Sequence, residues 1–180
     1  MGAPAQYNSK KIPGNKIYLK KLAKSNLKNC IRWLKDVEIN RYLSENVKNI
    51  DYPRELEWYN SIKYSDSDLV FAIYIKTGNI HIGNCGLHKI DHKNRSCELG
   101  IFIGNKDYLN KGFGTDSLQT LISFALNSLG IQRITLIVYE YNTRAINVYK
   151  NLGFVITSVL EKHHHYNDMY WNAYQMEYLA

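Results

Sequence analysis

Little in this sequence could staple, anchor or repeat it. The three cysteines, Cys30, Cys85 and Cys97, are an odd number without metal-type spacing. That argues against a disulfide framework and favours free thiols in a reducing compartment. No apolar run approaches the length of a membrane span, and no charged start leads into an apolar signal core. A cytoplasmic protein without a membrane partner is therefore expected. There is no internal repeat and no low-complexity linker. The fifteen tyrosines include no RNA-binding signature of the Lys/Arg-Gly-Phe-Gly-Phe kind, so nucleic acid is not the expected partner.

What is present suits one ordinary folded domain. With 180 residues, 45% hydrophobic and 22% charged, the chain can bury a core without metal or disulfide support. Residues 1–14 are polar, small and aperiodic, and MGAPAQ reads like a cloning remnant, so this stretch is expected to be disordered and residues 15–180 to form the domain. The net charge of +7, from 23 Lys plus Arg against 16 Asp plus Glu, would suit a polyanion, an acidic protein surface or a phosphorylated cofactor. A solvated basic face is the plainer explanation of the early lysines.

Periodicity sets the order of elements. Ile17 to Leu22 reads as a strand. Ser25 is a plausible N-cap for a helix carrying Leu27, Cys30, Ile31, Leu34 and Val37, and Pro53 opens a second helix with Trp58 and Ile62. Leu69 to Ile75 and Ile80 to Leu87 form strands around the Thr77-Gly78-Asn79 turn, with Gly83 and Gly86 suggesting a bulge or a close approach. His88 to Asn94 reads as a polar turn before the strand Cys97 to Ile103. A helix with Leu118, Leu121, Ile122, Ala125 and Leu129 on one face ends at Gly130. Arg133 to Tyr139 reads as a strand buried on both faces. A short helix from Asn142 to Gly153 follows, then two long strands joined by Asn167-Asp168. The fold class expected is mixed α/β in a single domain.

Asn110 to Ser117, NKGFGTDS, stands between a strand and a helix. Glycines there leave backbone N–H groups open at a positive helix terminus, which is a setting for phosphate. The strand ELGIFIG, this loop and NTRAINVYKNLGF after the next strand together resemble the GNAT superfamily of acetyl-CoA-dependent N-acetyltransferases. The run Ile90 to Arg95 and the tail LEKHHHYNDMYWNAYQMEYL make the ribosomal-protein N-acetyltransferase (RimJ/RimL-like) branch the nearest resemblance.

The resemblance implies a central, mostly antiparallel twisted sheet with a splayed parallel strand pair and helices on both faces. It implies acetyl-CoA as cosubstrate, no metal, and a primary amine as acceptor, with a protein N-terminal α-amine expected and a polyamine, amino sugar or antibiotic as the alternative. A homodimer is common among similar proteins. Leu109, Asn110, Lys111, Gly112, Phe113, Gly114 and Thr115 match the pyrophosphate loop, with Leu109 where the family has Gln or Arg. Phe102, Ile103 and Gly104 fall where the family offers backbone to the pantetheine arm, and Asn142 and Ala145 where the next helix starts.

Tyr149 matches the family's general acid. A phenol with a reference pKa of about 10 stays protonated at neutral pH and can donate to a thiolate whose conjugate acid lies near about 8.5. Glu98, on the face shared with Gly100 and Phe102, is the candidate base, with a lysine or arginine ion pair as the plainer reading. Strand alternation would put His163 and His165 on one face, yet two imidazoles without a third ligand are weak grounds for zinc. Cys97 has no paired histidine in the sequence to make it a nucleophile. Trp33, Arg32, Glu38, Glu45, Glu55 and Trp58 lie on the helices expected to wall the acceptor, where glutamates could attract a cationic polyamine. The alternative of another class is a non-catalytic module binding CoA or nucleic acid.

Overall fold

The computed structural model describes residues 11–43 and 49–180. Among the described residues the elements run β1 (Ile12–Pro13), β2 (Ile17–Lys21), α1 (Leu27–Leu34), α2 (Val37–Asn40), α3 (Tyr52–Lys63), β3 (Leu69–Ile75), β4 (His81–Asp91), β5 (Ser96–Ile103), α4 (Phe113–Leu129), β6 (Arg133–Tyr139), α5 (Thr143–Asn151), β7 (Val155–Tyr166) and β8 (Met169–Leu179). The strands form one sheet in the order β1-β2-β3-β4-β5-β6-β8-β7. Every neighbouring pair is antiparallel except β5 and β6. The mixed α/β architecture with a mostly antiparallel sheet and one parallel pair is the one the sequence led us to expect.

Local chemistry explains most boundaries. Gly78 and Asn79 adopt positive φ in the β3–β4 turn, and Asn167 and Asp168 do so in the β7–β8 turn, the backbone twist that tight hairpins require. Gly112 and Gly130, both left-handed, flank α4. Asp51 caps α3 by accepting the Arg54 N–H, and Asn142 caps α5 by accepting the Ala145 N–H.

Both faces of the sheet are covered. Leu69, Phe71 and Ile73 of β3 join Leu118, Leu121 and Ala125 of α4 in the main core. Val70 and Ala72, on the opposite face, pack with Cys30 of α1, Leu22, Tyr59 and Ile62. Alternating side chains of one strand thus serve two layers.

Several expectations need correction. The strands buried on both faces are β3 and the 81–87 part of β4, not β6, in which Arg133 and Ile137 are exposed, Ile137 at 48%. The helix from Ser25 breaks after Leu34, where Asp36 leaves helical geometry and caps α2 through the Glu38 N–H. Ser25 is not the cap of α1. Asn26 stands there, and its side chain instead accepts the Ala23 N–H and donates to the Tyr74 hydroxyl. Strand β4 runs on to Asp91, since His88 still pairs with Glu98 across the β4–β5 ladder. Residues 1–10 lie outside the described residues, whereas Ile12 and Pro13 already pair with Leu19 and Tyr18.

Candidate active site

Strands β5 and β6 stay paired only from Ser96–Arg133 to Glu98–Thr135. Beyond that point β5 follows β4 through Ile103 and β6 follows β8 through Tyr139. Each diverging strand keeps one edge without a ladder partner, and an edge of free N–H and C=O groups accepts an amide-bearing arm as an added strand. A cleft of about 800 Å³ opens in the divergence. Glu98, Phe102, Ile103, Leu109, Asn110, Gly112, Gly114, Thr115, Asn142, Ala145 and Tyr149 all line it. One fold feature therefore gathers most of the residues singled out in the sequence.

At the loop, Gly112 is the N-cap of α4 with φ 81°, a conformation that disfavours any side chain. The first intrahelical bond is the Asp116 N–H to Gly112 carbonyl, so the N–H groups of Phe113, Gly114 and Thr115 precede the helical ladder. A Cβ on Gly114 would lie 3.7 Å from the nearest protein atom, Ile103 Cγ1, which leaves its surface open to a ligand. These groups fit a pyrophosphate. Arg144, which sequence reasoning passed over, lines the cleft and donates to Asn110 Oδ1 at 3.1 Å, putting a guanidinium beside the same loop. Lys16 reaches the Lys111 carbonyl at 3.2 Å and adds a second cation there.

Three of the expected cofactor residues do not line the cleft. Gly104 lies under Trp33, where any Cβ would come within 2.1 Å of the indole, and its N–H is taken by the Ile82 carbonyl. Lys111 turns its ammonium toward the Tyr108 ring, and Phe113 packs edge-on against that ring at 5.6 Å. Asn142 borders the cleft, but its side-chain oxygen caps α5.

Tyr149 is 8% exposed and borders the cleft from α5, backed by Phe154. Burial pushes its phenol up to about 12, so it is a protonated donor at any physiological pH. Glu98 is engaged by the Lys89 ammonium at 2.7 Å, the ion pair that was the plainer reading. Cys97 is buried and its thiol is pushed up to about 12 by desolvation, which disfavours the thiolate that a nucleophile needs. A register shift precedes His164, yet burial alternates across the run as expected, with His164 buried between exposed His163 and His165. His163 borders the cleft, His164 stacks on Tyr139 at 4.2 Å, and His165 leans on Tyr170.

A second cavity of about 570 Å³ lies across β5 and shares Gly100, Ile101, Phe102 and Leu43 with the first. Ile50, Trp58 and Leu34 give it apolar walls, and Arg54, Glu55, Asn84 and His88 give it polar ones. Glu55 projects from α3 and is only 3% exposed. Among the described residues no side chain pairs with its carboxylate, and burial alone pushes it up to about 7. His88 Nδ1 lies 2.7 Å from Asp68 Oδ1, and the other Asp68 oxygen accepts from the Ser65 hydroxyl at 2.6 Å. Burial would raise the Asp68 carboxyl, but the hydrogen bonds from Ser65 and His88 hold it below its ordinary range. Arg32 and Trp33 do not line this cavity, Glu38 borders the first one, and Glu45 lies outside the described residues.

A protein-family model described as an acetyltransferase (GNAT) domain matches residues 16–155. An uncharacterized N-acetyltransferase of Bacillus licheniformis is 28% identical over 127 residues, covering 69% of this chain and 70% of that protein. The spermidine N(1)-acetyltransferase of Escherichia coli K12 is 31% identical over 99 residues, about half of each chain (52% and 53%). Among solved structures, the spermidine N-acetyltransferase of Vibrio cholerae in complex with CoA and spermine superposes with a TM-score of 0.84 at 22% identity, covering 91% of this chain and 95% of that one. That last likeness is one of fold.

The ribosomal-protein (RimJ/RimL-like) branch expected from the sequence is corrected by these findings. Six of the similar solved structures are spermidine N-acetyltransferases. The two stretches that suggested the other branch have structural roles in this fold. Asp91 closes the β4–β5 turn by accepting the N–H groups of Lys93 and Asn94, each at 2.9 Å, and the tail forms the edge hairpin β7–β8.

Proposed function

Because the chain belongs to the GNAT acetyltransferase family, we propose that its acceptor is an aliphatic, multiply charged amine of the polyamine class. The chain is an acetyl-CoA-dependent N-acetyltransferase. Bound acetyl-CoA supplies the activated acyl group. The loop N–H groups from Phe113 to Thr115, with Arg144 and Lys16 beside them, hold its phosphates. The free edges of β5 and β6 hold its amide arm, and Tyr149 donates a proton to the departing sulfur.

One observation carries the choice of acceptor: the carboxylate of Glu55, buried in an apolar cavity that abuts the cleft at Gly100–Phe102. A carboxylate in such a place, with no partner among the described residues, is unfavourable by several kcal/mol and shifts its pKa upward. A cationic ligand removes that penalty, and the Trp58, Ile50 and Leu34 surfaces suit the methylenes between its charges. The names of the E. coli and V. cholerae relatives point the same way.

The test is thiol release from acetyl-CoA with spermidine, spermine, a monoamine of similar length, and peptides with free N-termini. Polyamines should exceed the monoamine in kcat/KM by about tenfold or more, the value of one charged contact. Preference for the peptides would overturn the reading.

A further inference from the structure

We propose that His88, oriented by Asp68, is the general base that takes the proton from the acceptor ammonium. This inference rests on reading the second cavity as the acceptor site. The Asp68 carboxylate faces Nδ1 at 2.7 Å and is itself fixed by the Ser65 hydroxyl at 2.6 Å. A carboxylate at Nδ1 holds the ring proton there and leaves the Nε2 lone pair as the acceptor. Asp68 is thus a positioning residue.

The location of Nε2 decides what it can reach. Gly86 and Gly100 are direct cross-strand partners on β4 and β5. A Cβ on Gly86 would lie 2.9 Å from His88 Nε2, and one on Gly100 would lie 3.9 Å from it. The imidazole edge therefore rests over a pair of residues without side chains, and any other residue at Gly86 would displace it. Gly100 borders both cavities, so Nε2 lies beside a residue that the proposed amine and thioester sites share. Glu55 lines the same cavity as His88, so a diamine can leave one charge at Glu55 and present the other amine to the imidazole. Glu98, the base expected from sequence, holds Lys89 instead. Imidazole is the side chain suited to taking a proton near neutral pH.

The step balances simply. The ammonium gives one proton to Nε2, which passes it to solvent. The neutral nitrogen forms the C–N bond as the C–S bond breaks. The sulfur takes a proton from Tyr149, which recovers one from the nitrogen, so one proton is released per amide formed.

The experiment compares wild type, H88Q and D68N with spermidine and with a weakly basic amine that is already neutral at the assay pH, such as trifluoroethylamine. Binding of CoA, read as a rise in melting temperature, reports that each variant is folded. H88Q should lose about 10²–10³-fold in kcat with spermidine at nearly unchanged KM for acetyl-CoA, and D68N should lose less. With the neutral amine the deficit of both variants should shrink to a few-fold, which a merely structural role would not produce. If wild type acetylates spermidine and H88Q keeps its kcat, or loses equally on both amines, the base assignment is overturned while the acceptor reading stands. If wild type acetylates no amine, both fall.

Discussion

Asp116 Oδ2, in the first turn of α4, accepts the backbone N–H of Lys16 at 2.7 Å. The same carboxylate accepts those of Asn15 at 2.9 Å and Ile17 at 3.1 Å. One buried side chain thus ties the start of β2 to the helix whose N-terminus faces the cleft, and it fixes the stem from which the Lys16 ammonium reaches the Lys111 carbonyl. Asp116→Ala would leave three donors without their acceptor. A loss of about 3 kcal/mol or more is expected, seen as a lower urea midpoint, with weaker CoA binding even where the variant is still folded. Asp116→Asn, which keeps one acceptor oxygen, should fall between.

Three glycines near the cleft should respond differently to alanine. At Gly104 a Cβ would enter the Trp33 ring, so Gly104→Ala should destabilise by overpacking, by about 1–3 kcal/mol or more. At Gly112 the strain is conformational, about 1 kcal/mol for φ 81°, with CoA affinity lost as the turn shifts. Gly114→Ala has room within the protein, so its melting temperature should hold while the Kd for CoA rises. Thermal melts with and without CoA check all three, and a stable Gly114→Ala variant with unchanged Kd would remove Gly114 from the phosphate site.

How much of this was legible in the sequence depends on whether the signal was local. The Asn110–Ser117 loop, the Asn142 cap and the Gly130 stop are chemistry between neighbours, and they stand where they were read. The second cavity was not legible, because Glu55, Asp68 and His88 come from α3, the segment before β3, and β4, and no pattern of spacing joins them. Glu55 looked like any solvated helix glutamate. It is buried once α3 packs against α1 and the face of β3 that carries Val70 and Ala72. Arg144 is obscured for the opposite reason: it lies inside a recognisable motif whose Asn142 cap and Tyr149 carry the stronger local signals. The branch assignment failed because it leaned on a turn and an edge hairpin rather than on acceptor-facing residues.

The buried Glu55 makes stability depend on pH. Its carboxyl ionises at about 7 in the folded protein against 4.5 as its ordinary value. The raised folded value means that the unfolded chain ionises first, so this group's contribution is fully present below pH 4.5 and is lost as pH rises toward 7. About 3 kcal/mol is at stake at 1.36 kcal/mol per pKa unit. Glu55→Gln should flatten the decline in urea midpoint between pH 5 and pH 8 and raise stability at about pH 8. It should also raise the KM for spermidine by about 10–100-fold while sparing the KM for acetyl-CoA. A Glu55→Gln variant with the wild-type pH profile of stability would show that the carboxylate is solvated in the free protein.

Tyr149 gives the sharpest separation between binding and chemistry. Its ring packs on Phe154 while its edge borders the cleft, so Tyr149→Phe keeps the packing and removes only the donor. The variant should bind CoA as wild type does and lose about 10²–10⁴ in kcat, the range for a general acid. Burial raises the phenol from 10.0 to about 12, so the wild-type rate should show no fall from this group as pH rises through 10. Linkage sets the sign for stability. The unfolded chain ionises its tyrosine first, so between pH 10 and 12 the wild type should lose stability relative to Tyr149→Phe by up to about 1.4 kcal/mol per pH unit. Rate profiles and urea midpoints at pH 9 and 11 for the two proteins check both statements. A wild-type rate that falls with a midpoint below 10 and recovers that limb in Tyr149→Phe would mean the hydroxyl meets solvent in the working enzyme; unchanged turnover in Tyr149→Phe would reject the acid role outright.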